Sequence, residues 1–192
     1  NYAKKNGVDS EIQPWDTPYW SERMRENKFN LKEEELKPYF SLDNVLRELF
    51  AIANRLFGIY IQERIEKVEK WHTDVRYYDV YQGDNSNNEI IAGFYLDPYV
   101  RPETKRSGAW MGSCVDKNRA LGHNVPVAYL ICNGSPPSKD KPSLLSFSDV
   151  ETLFHEFGHG LQHMLTKIDI GDISGINGIE WDAVELPSQF ME

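Results

Sequence analysis

Two hydrophobic rhythms alternate along the chain. Leu42, Val45, Leu46, Leu49, Ile52, Leu56 and Phe57 recur at intervals of three and four, which places apolar side chains on one stripe of an α-helix. This spacing predicts a helix over Ser41 to Phe57 that stops at Gly58. A shorter helical signal covers Glu33 to Leu36. Asp74 to Tyr81 and Ile90 to Tyr99 are instead rich in aromatic and β-branched residues and read as strands, with Gly83 to Asn88 as the polar loop of a hairpin. Pro126 to Cys132 predicts a third strand, followed by a Pro-rich loop through Pro142.

Helical rhythm then returns. Val150, Phe154, Phe157, Leu161, Met164 and Leu165 form a second stripe, with Ser148 and Glu151 spaced as a capping box at its start. Lys167 to Gly178, with Gly171, Gly175 and Gly178, reads as a loop that folds the chain back. Ile179 to Met191 resumes a largely helical composition. No internal repeat or low-complexity tract interrupts the sequence. The expected class is α+β, in which a small antiparallel or mixed sheet packs on helices and the 150–165 helix lies behind it. Residues 1–70 are expected to be helical, 71–133 to form the sheet region and 147–192 to carry the last helices. With 192 residues, one domain with a real core is expected.

Charge narrows the function. The formal net charge of −9 argues against nucleic acid and anionic membrane partners, and no apolar run approaches the ~18 residues that span a bilayer. Cys114 and Cys132 are too few for a disulfide scaffold and wrongly spaced for a zinc knuckle, so reduced, buried thiols are expected. Asn133-Gly134-Ser135 matches a glycosylation acceptor but reads as a turn in an intracellular protein. Neither a signal-peptide core nor an Arg-rich transit pattern opens the chain.

The chemistry concentrates on the second amphipathic helix. His155-Glu156-Phe157-Gly158-His159 has the form H-E-x-x-H. Positions four apart lie about 6 Å along a helix and nearly on one face, so two imidazoles can converge on one ion at bonds of about 2.0 to 2.1 Å. Glu156 projects to the flank of such an ion, where it can take a proton from water whose pKa the metal lowers to about 7. His155 and His159 fall off the apolar stripe, as ligands facing a cleft should. Gly158 and Gly160 bracket His159 at about 1 kcal/mol each relative to Ala, which points to close backbone approach there. His163 lies about 12 Å along the axis from His155, too far to share the ion, and reads as a surface side chain or one that supports a ligand. Glu180, Asp182, Glu185 and Glu192 are the carboxylates able to complete the set, and spacing does not choose among them.

The H-E-F-G-H segment together with Trp181-Asp182-Ala183-Val184-Glu185-Leu186-Pro187-Ser188-Gln189-Phe190-Met191-Glu192 resembles the thimet oligopeptidase family of zinc peptidases, most of all its oligopeptidase A branch with the related plant enzymes. The similarity extends upstream through Pro38-Tyr39-Phe40, Trp71-His72, Asp74-Val75-Arg76, Phe94-Tyr95-Leu96-Asp97 and Pro126-Val127-Ala128-Tyr129-Leu130. It implies a predominantly helical, zincin-type catalytic segment holding one Zn²⁺ per chain on His155, His159 and Glu185, with Glu156 as general base. Asp182 would orient a ligand histidine or simply face solvent.

The implied activity is zinc-dependent endopeptidase cleavage of short peptides, with a channel in a mostly helical body excluding longer ones. A monomer is expected, either cytoplasmic or, given an upstream transit peptide, mitochondrial or chloroplastic. Family members are several times longer, and their tyrosine and histidine oxyanion donors follow the glutamate-bearing helix, so the chain reads as a fragment. The alternative is a catalytically incomplete module that binds zinc or peptide. An extended substrate is expected to add to an exposed sheet edge, for which Val127 to Cys132 is the candidate.

Overall fold

The computed structural model describes residues 2–8, 10–30, 32–83 and 89–192. Four helices precede the sheet: α1 (Tyr2–Lys5), α2 (Thr17–Phe29), α3 (Glu33–Leu36) and α4 (Leu42–Phe57). The α4 helix starts after Ser41 in extended conformation and ends at Gly58, whose φ of 64° is the left-handed cap that glycine adopts without a Cβ penalty. Leu42, Val45, Leu46 and Leu49 are buried as the periodicity requires, and Ala53 completes the face. Leu56 and Phe57, expected on it, stay exposed. Phe57 borders an open apolar groove instead.

Five strands follow: β1 (Ile59–Glu63), β2 (Arg76–Gln82), β3 (Ile90–Tyr99), β4 (Trp110–Val115) and β5 (Val127–Gly134). They form one mixed sheet in the order β1-β2-β3-β5-β4. The β2–β3 pair is antiparallel, as the hairpin reading expects. Residues 84–88 of its polar loop lie outside the described residues. β1 falls inside the 1–70 stretch expected to be helical, beginning directly after Gly58.

The proposed open edge is corrected. β5 runs parallel to β3 and antiparallel to β4, with ladder partners on both sides. β4 fills the outer position, so β1 and β4 are the edges. β4 shows no clean alternation, because Gly112 and Ser113 interrupt it and the strand is only half-buried.

After the sheet come α5 (Phe147–Met164) and α6 (Leu186–Met191). α5 begins two residues before the expected box: Ser146 accepts from the Asp149 amide at 3.1 Å while Asp149 accepts from the Ser146 amide at 2.9 Å. The stretch from Ile179 is helical only from Leu186, and turns occupy 181–185.

α5 lies across β5 and β4. Its Phe157 is fully buried, 5.8 Å from Phe94 of β3 and 6.2 Å from Phe50 of α4. Phe50 also meets Tyr78, which stacks on Phe94 at 4.9 Å. α4 and α5 therefore cover the same sheet face, and each buried aromatic contributes about 1.5 to 3 kcal/mol of apolar burial. Strand alternation turns Tyr95 and Tyr129 to the opposite face, where they pack with Trp71.

Candidate metal centre

The two histidines of α5 and one carboxylate from the start of α6 meet at a point. His155 Nε2 and His159 Nε2 each lie 3.1 Å from Glu185 Oε2. The three potential ligand atoms are within 4.8 Å of one another. Two ligands on one ion at about 2.0 to 2.1 Å with tetrahedral angles stand about 3.3 Å apart, so these separations fit a shared cation. The imidazole rings are nearly perpendicular, at 84° with centroids 4.9 Å apart.

The approach of α6 to α5 depends on Gly158. A Cβ there would sit 2.6 Å from both Pro187 O and Ser188 Cα. Gly160 faces the sheet, where a Cβ would press to 3.1 Å from the Leu130 side chain. The two glycines thus admit backbone on one side and strand on the other, as their cost within a helix suggests.

Each ring is set differently. His155 Nδ1 lies 2.6 Å from Glu192 Oε1. Both carboxylates only accept, so either ring nitrogen can donate, and a cation on Nε2 would leave the proton on Nδ1, facing Glu192. Glu185 and Glu192 are two helical turns apart and so hold both ring nitrogens of one histidine. His159 is buried, its Nδ1 without a partner among the described residues. Burial lowers its pKa against the opposing pull of Glu185.

Glu185 is half exposed. Its carboxyl is held below the usual range first by the Ser188 hydroxyl, which donates to Oε2 at 2.8 Å, and then by the two histidines against its own partial desolvation. Ser188 itself is fully buried.

Glu156 is nearly buried, at 7% exposure. Burial pushes its pKa up, His155 pulls it down, Glu185 pushes it up and a hydrogen bond from the Met111 amide of β4 pulls it down. A cleft of about 370 Å³ opens beside it, lined by Ser148, Glu151, Thr152, His155, Glu156 and Glu192.

Among the four candidate carboxylates, only Glu185 joins both histidines. Asp182 is exposed, and the orienting contact expected of it is made by Glu192. The surface reading of His163 is also corrected, since the residue is fully buried and bonded to Val115 O. Sequence reasoning missed the Ser188 hydroxyl. The seven-residue spacing from Glu185 to Glu192 was the available signal for the latter's role.

Cys132 is buried, with its thiol pushed up to about 12 by burial, and Cys114 is half-buried. Among the described residues, no helix is long and apolar enough to cross a membrane.

All 192 residues match the model of Peptidase family M3. The chain is 52% identical to organellar oligopeptidase A, chloroplastic/mitochondrial, of Arabidopsis thaliana, an alignment covering all of this chain and 25% of that protein. It is 49% identical to oligopeptidase A of Escherichia coli K12, over 97% of this chain and 27% of that protein. A probable thimet oligopeptidase of Arabidopsis thaliana is more distant, at 34% over 92% of this chain and 24% of that protein. The chain thus spans about a quarter of the length of these relatives, and it belongs to Peptidase family M3.

Proposed function

We propose that the protein containing this chain is a zinc-dependent peptidase acting on short peptides, with His155, His159 and Glu185 as metal ligands and Glu156 as the proton-transferring carboxylate. The observation that carries the reading is the convergence of two imidazole nitrogens on one carboxylate oxygen at 3.1 Å each. Two histidines and a glutamate are the ligand type of catalytic zinc sites that keep a position open. When bound, the ion would polarise a scissile carbonyl and acidify a water.

The remaining steps belong to side chains of this chain. Glu156 follows His155 directly, so its carboxylate reaches beside the ligand set without joining it. There it accepts the proton of the attacking water as the new C–O bond forms, and it returns that proton to the leaving amine as the peptide C–N bond breaks. Its near-complete burial raises its proton affinity toward what such a relay needs. Glu192, 2.6 Å from His155 Nδ1, would accept that nitrogen's proton and orient the ring with Nε2 as the ligand atom.

An extended peptide would run along the open edge of β4, which packs against α5, through main-chain hydrogen bonds that tolerate many sequences. Membership in the family and the oligopeptidase names of the relatives favour this reading over a module that only binds zinc or peptide. The names of relatives from organelle, cytosol and bacterium leave the compartment to the full-length protein.

The test is cleavage of a quenched fluorescent peptide by the full-length protein with zinc content assayed. Turnover that requires one zinc per chain supports the proposal. Full turnover after complete chelation of the metal contradicts it.

A further inference from the structure

We propose that His163 is a positioning residue: it ties the β4 edge strand and the loop that leads to Glu185 to the metal-site helix, so that the edge of β4 stays aligned beside the ligand set. The inference rests on the proposed peptidase reading, in which substrate runs along that edge.

His163 is fully buried near the end of α5. Its Nε2 lies 3.1 Å from the backbone carbonyl of Val115, the last residue of β4. A carbonyl only accepts, so Nε2 carries the proton and donates. This is a side chain of the metal-site helix bonded to the backbone of the edge strand.

The strand needs such a tie. Among the described residues β4 has a ladder partner on one side only, and its register with β5 shifts between Ser113 and Val115. A bulge at a sheet edge bends the strand and re-aims what it carries. The Val115 carbonyl lies beyond that irregularity, where the β5 ladder alone defines the strand's position least.

The other side of the ring is equally constrained. Gly175 has a φ of +63°, and a Cβ there would lie 2.5 Å from His163 Nδ1 and 3.0 Å from its Cα. The loop that leads to Glu185 therefore closes directly onto this imidazole. Two further ties flank it: Lys117 Nζ reaches Asp169 at 3.2 Å, and the Arg119 amide donates to Asp169 O at 2.9 Å. The buried histidine is the point at which metal-site helix, edge strand and ligand-bearing loop share one reference.

The test uses the full-length, zinc-loaded protein with a quenched fluorescent peptide, reading kcat per bound zinc. His163→Leu removes the donor and keeps an apolar body, and kcat should fall about ten- to a hundredfold with zinc stoichiometry unchanged, the scale of a small misplacement at a reacting centre. His163→Gln carries an amide donor that can reach the same carbonyl and should recover kcat to within about threefold of the unmodified protein. A role in folding alone would lower the melting temperature of His163→Leu and leave kcat per zinc within about twofold. That result, or no recovery in His163→Gln, overturns the proposal.

If His163→Leu does not fold, Gly175→Ala carries the test, since its Cβ displaces the ring. It should lose kcat to a similar degree, and full kcat would overturn the anchor. Glu156→Gln in the same assay separates the two claims. Undiminished turnover there sinks the reading of Glu156, whereas an inactive Glu156→Gln beside an unaffected His163→Leu sinks only the anchor.

Discussion

The sheet carries a charged cluster on each side, one buried and one facing a cleft, and the two are built on opposite principles. On the face away from α5, Asp97 is 2% exposed and receives Arg101 through both guanidinium nitrogens, Lys105 Nζ at 3.1 Å and Trp71 Nε1 at 2.9 Å. Lys105 also donates to the carbonyls of Asp97, Tyr99 and Cys132. Every lone pair there has a donor from the protein itself.

On the α5 side, His155 Nε2, His159 Nε2 and Glu185 Oε2 face one another, with Glu192 accepting at His155 Nδ1 and Ser188 donating to Glu185 Oε2. A saturated cluster holds the fold. A cluster whose lone pairs converge presents a place for something the chain does not supply. The hollow of about 430 Å³ over the Asp97 cluster is larger than the cleft beside Glu156, yet Asp97, Arg101 and Lys105 within it already satisfy one another. Volume alone therefore does not identify the proposed reactive side.

The comparison can be broken most decisively at Glu156. Glu156→Gln should keep zinc, since its carboxylate stands outside the proposed ligand set, and should lower kcat of the full-length protein by about 10² to 10⁴. Retained turnover at full zinc occupancy would remove the functional half of the contrast.

Asp97→Asn tests the structural half. It leaves Arg101 and Lys105 without their counter-charge and should cost about 3 to 5 kcal/mol of stability in denaturant unfolding, with zinc binding unchanged. The same group predicts a pH dependence. Burial pushes Asp97 up, but the hydrogen bonds from Arg101, Trp71 and Lys105 outweigh it and hold the carboxyl below its usual range. A depressed folded value means that the stabilisation is complete above the unfolded pKa of about 3.9 and is lost as pH falls through the folded one. Acid unfolding below about pH 4 should therefore be less steep in Asp97→Asn than in the unmodified protein.

Glu192→Gln sharpens the distinction between a ligand and the group that orients it. Zinc affinity should weaken by about 10- to 100-fold while the stoichiometry at saturating metal stays at one. Ser146→Ala, at the start of the metal-site helix, should cost only about 1 kcal/mol by thermal unfolding, because the cap supports the helix and touches none of the chemistry.

What the sequence made legible follows the same division. The α4 stripe, the β2–β3 hairpin and the apolar face of α5 announce themselves because burial of one face imposes a period. α2 has no buried residue and so no stripe to find. β4 is an edge strand broken by Gly112 and Ser113, and missing it led to β5 being taken as the edge.

At the site, His155, Glu156 and His159 were readable from helical geometry, while Glu185 was separated from its rivals only by family resemblance. His163 escaped for a geometric reason. Eight residues turn a helix about 80° beyond two full turns, which rotates its ring away from the cleft and under the Gly175 loop.

The central claim is tested most directly by anomalous diffraction at the zinc edge from crystals of the zinc-loaded protein. A single peak within about 2.0 to 2.2 Å of His155 Nε2, His159 Nε2 and a Glu185 carboxylate oxygen is predicted. Zinc bound by other residues, or by the histidines with Glu185 turned away, would contradict the account.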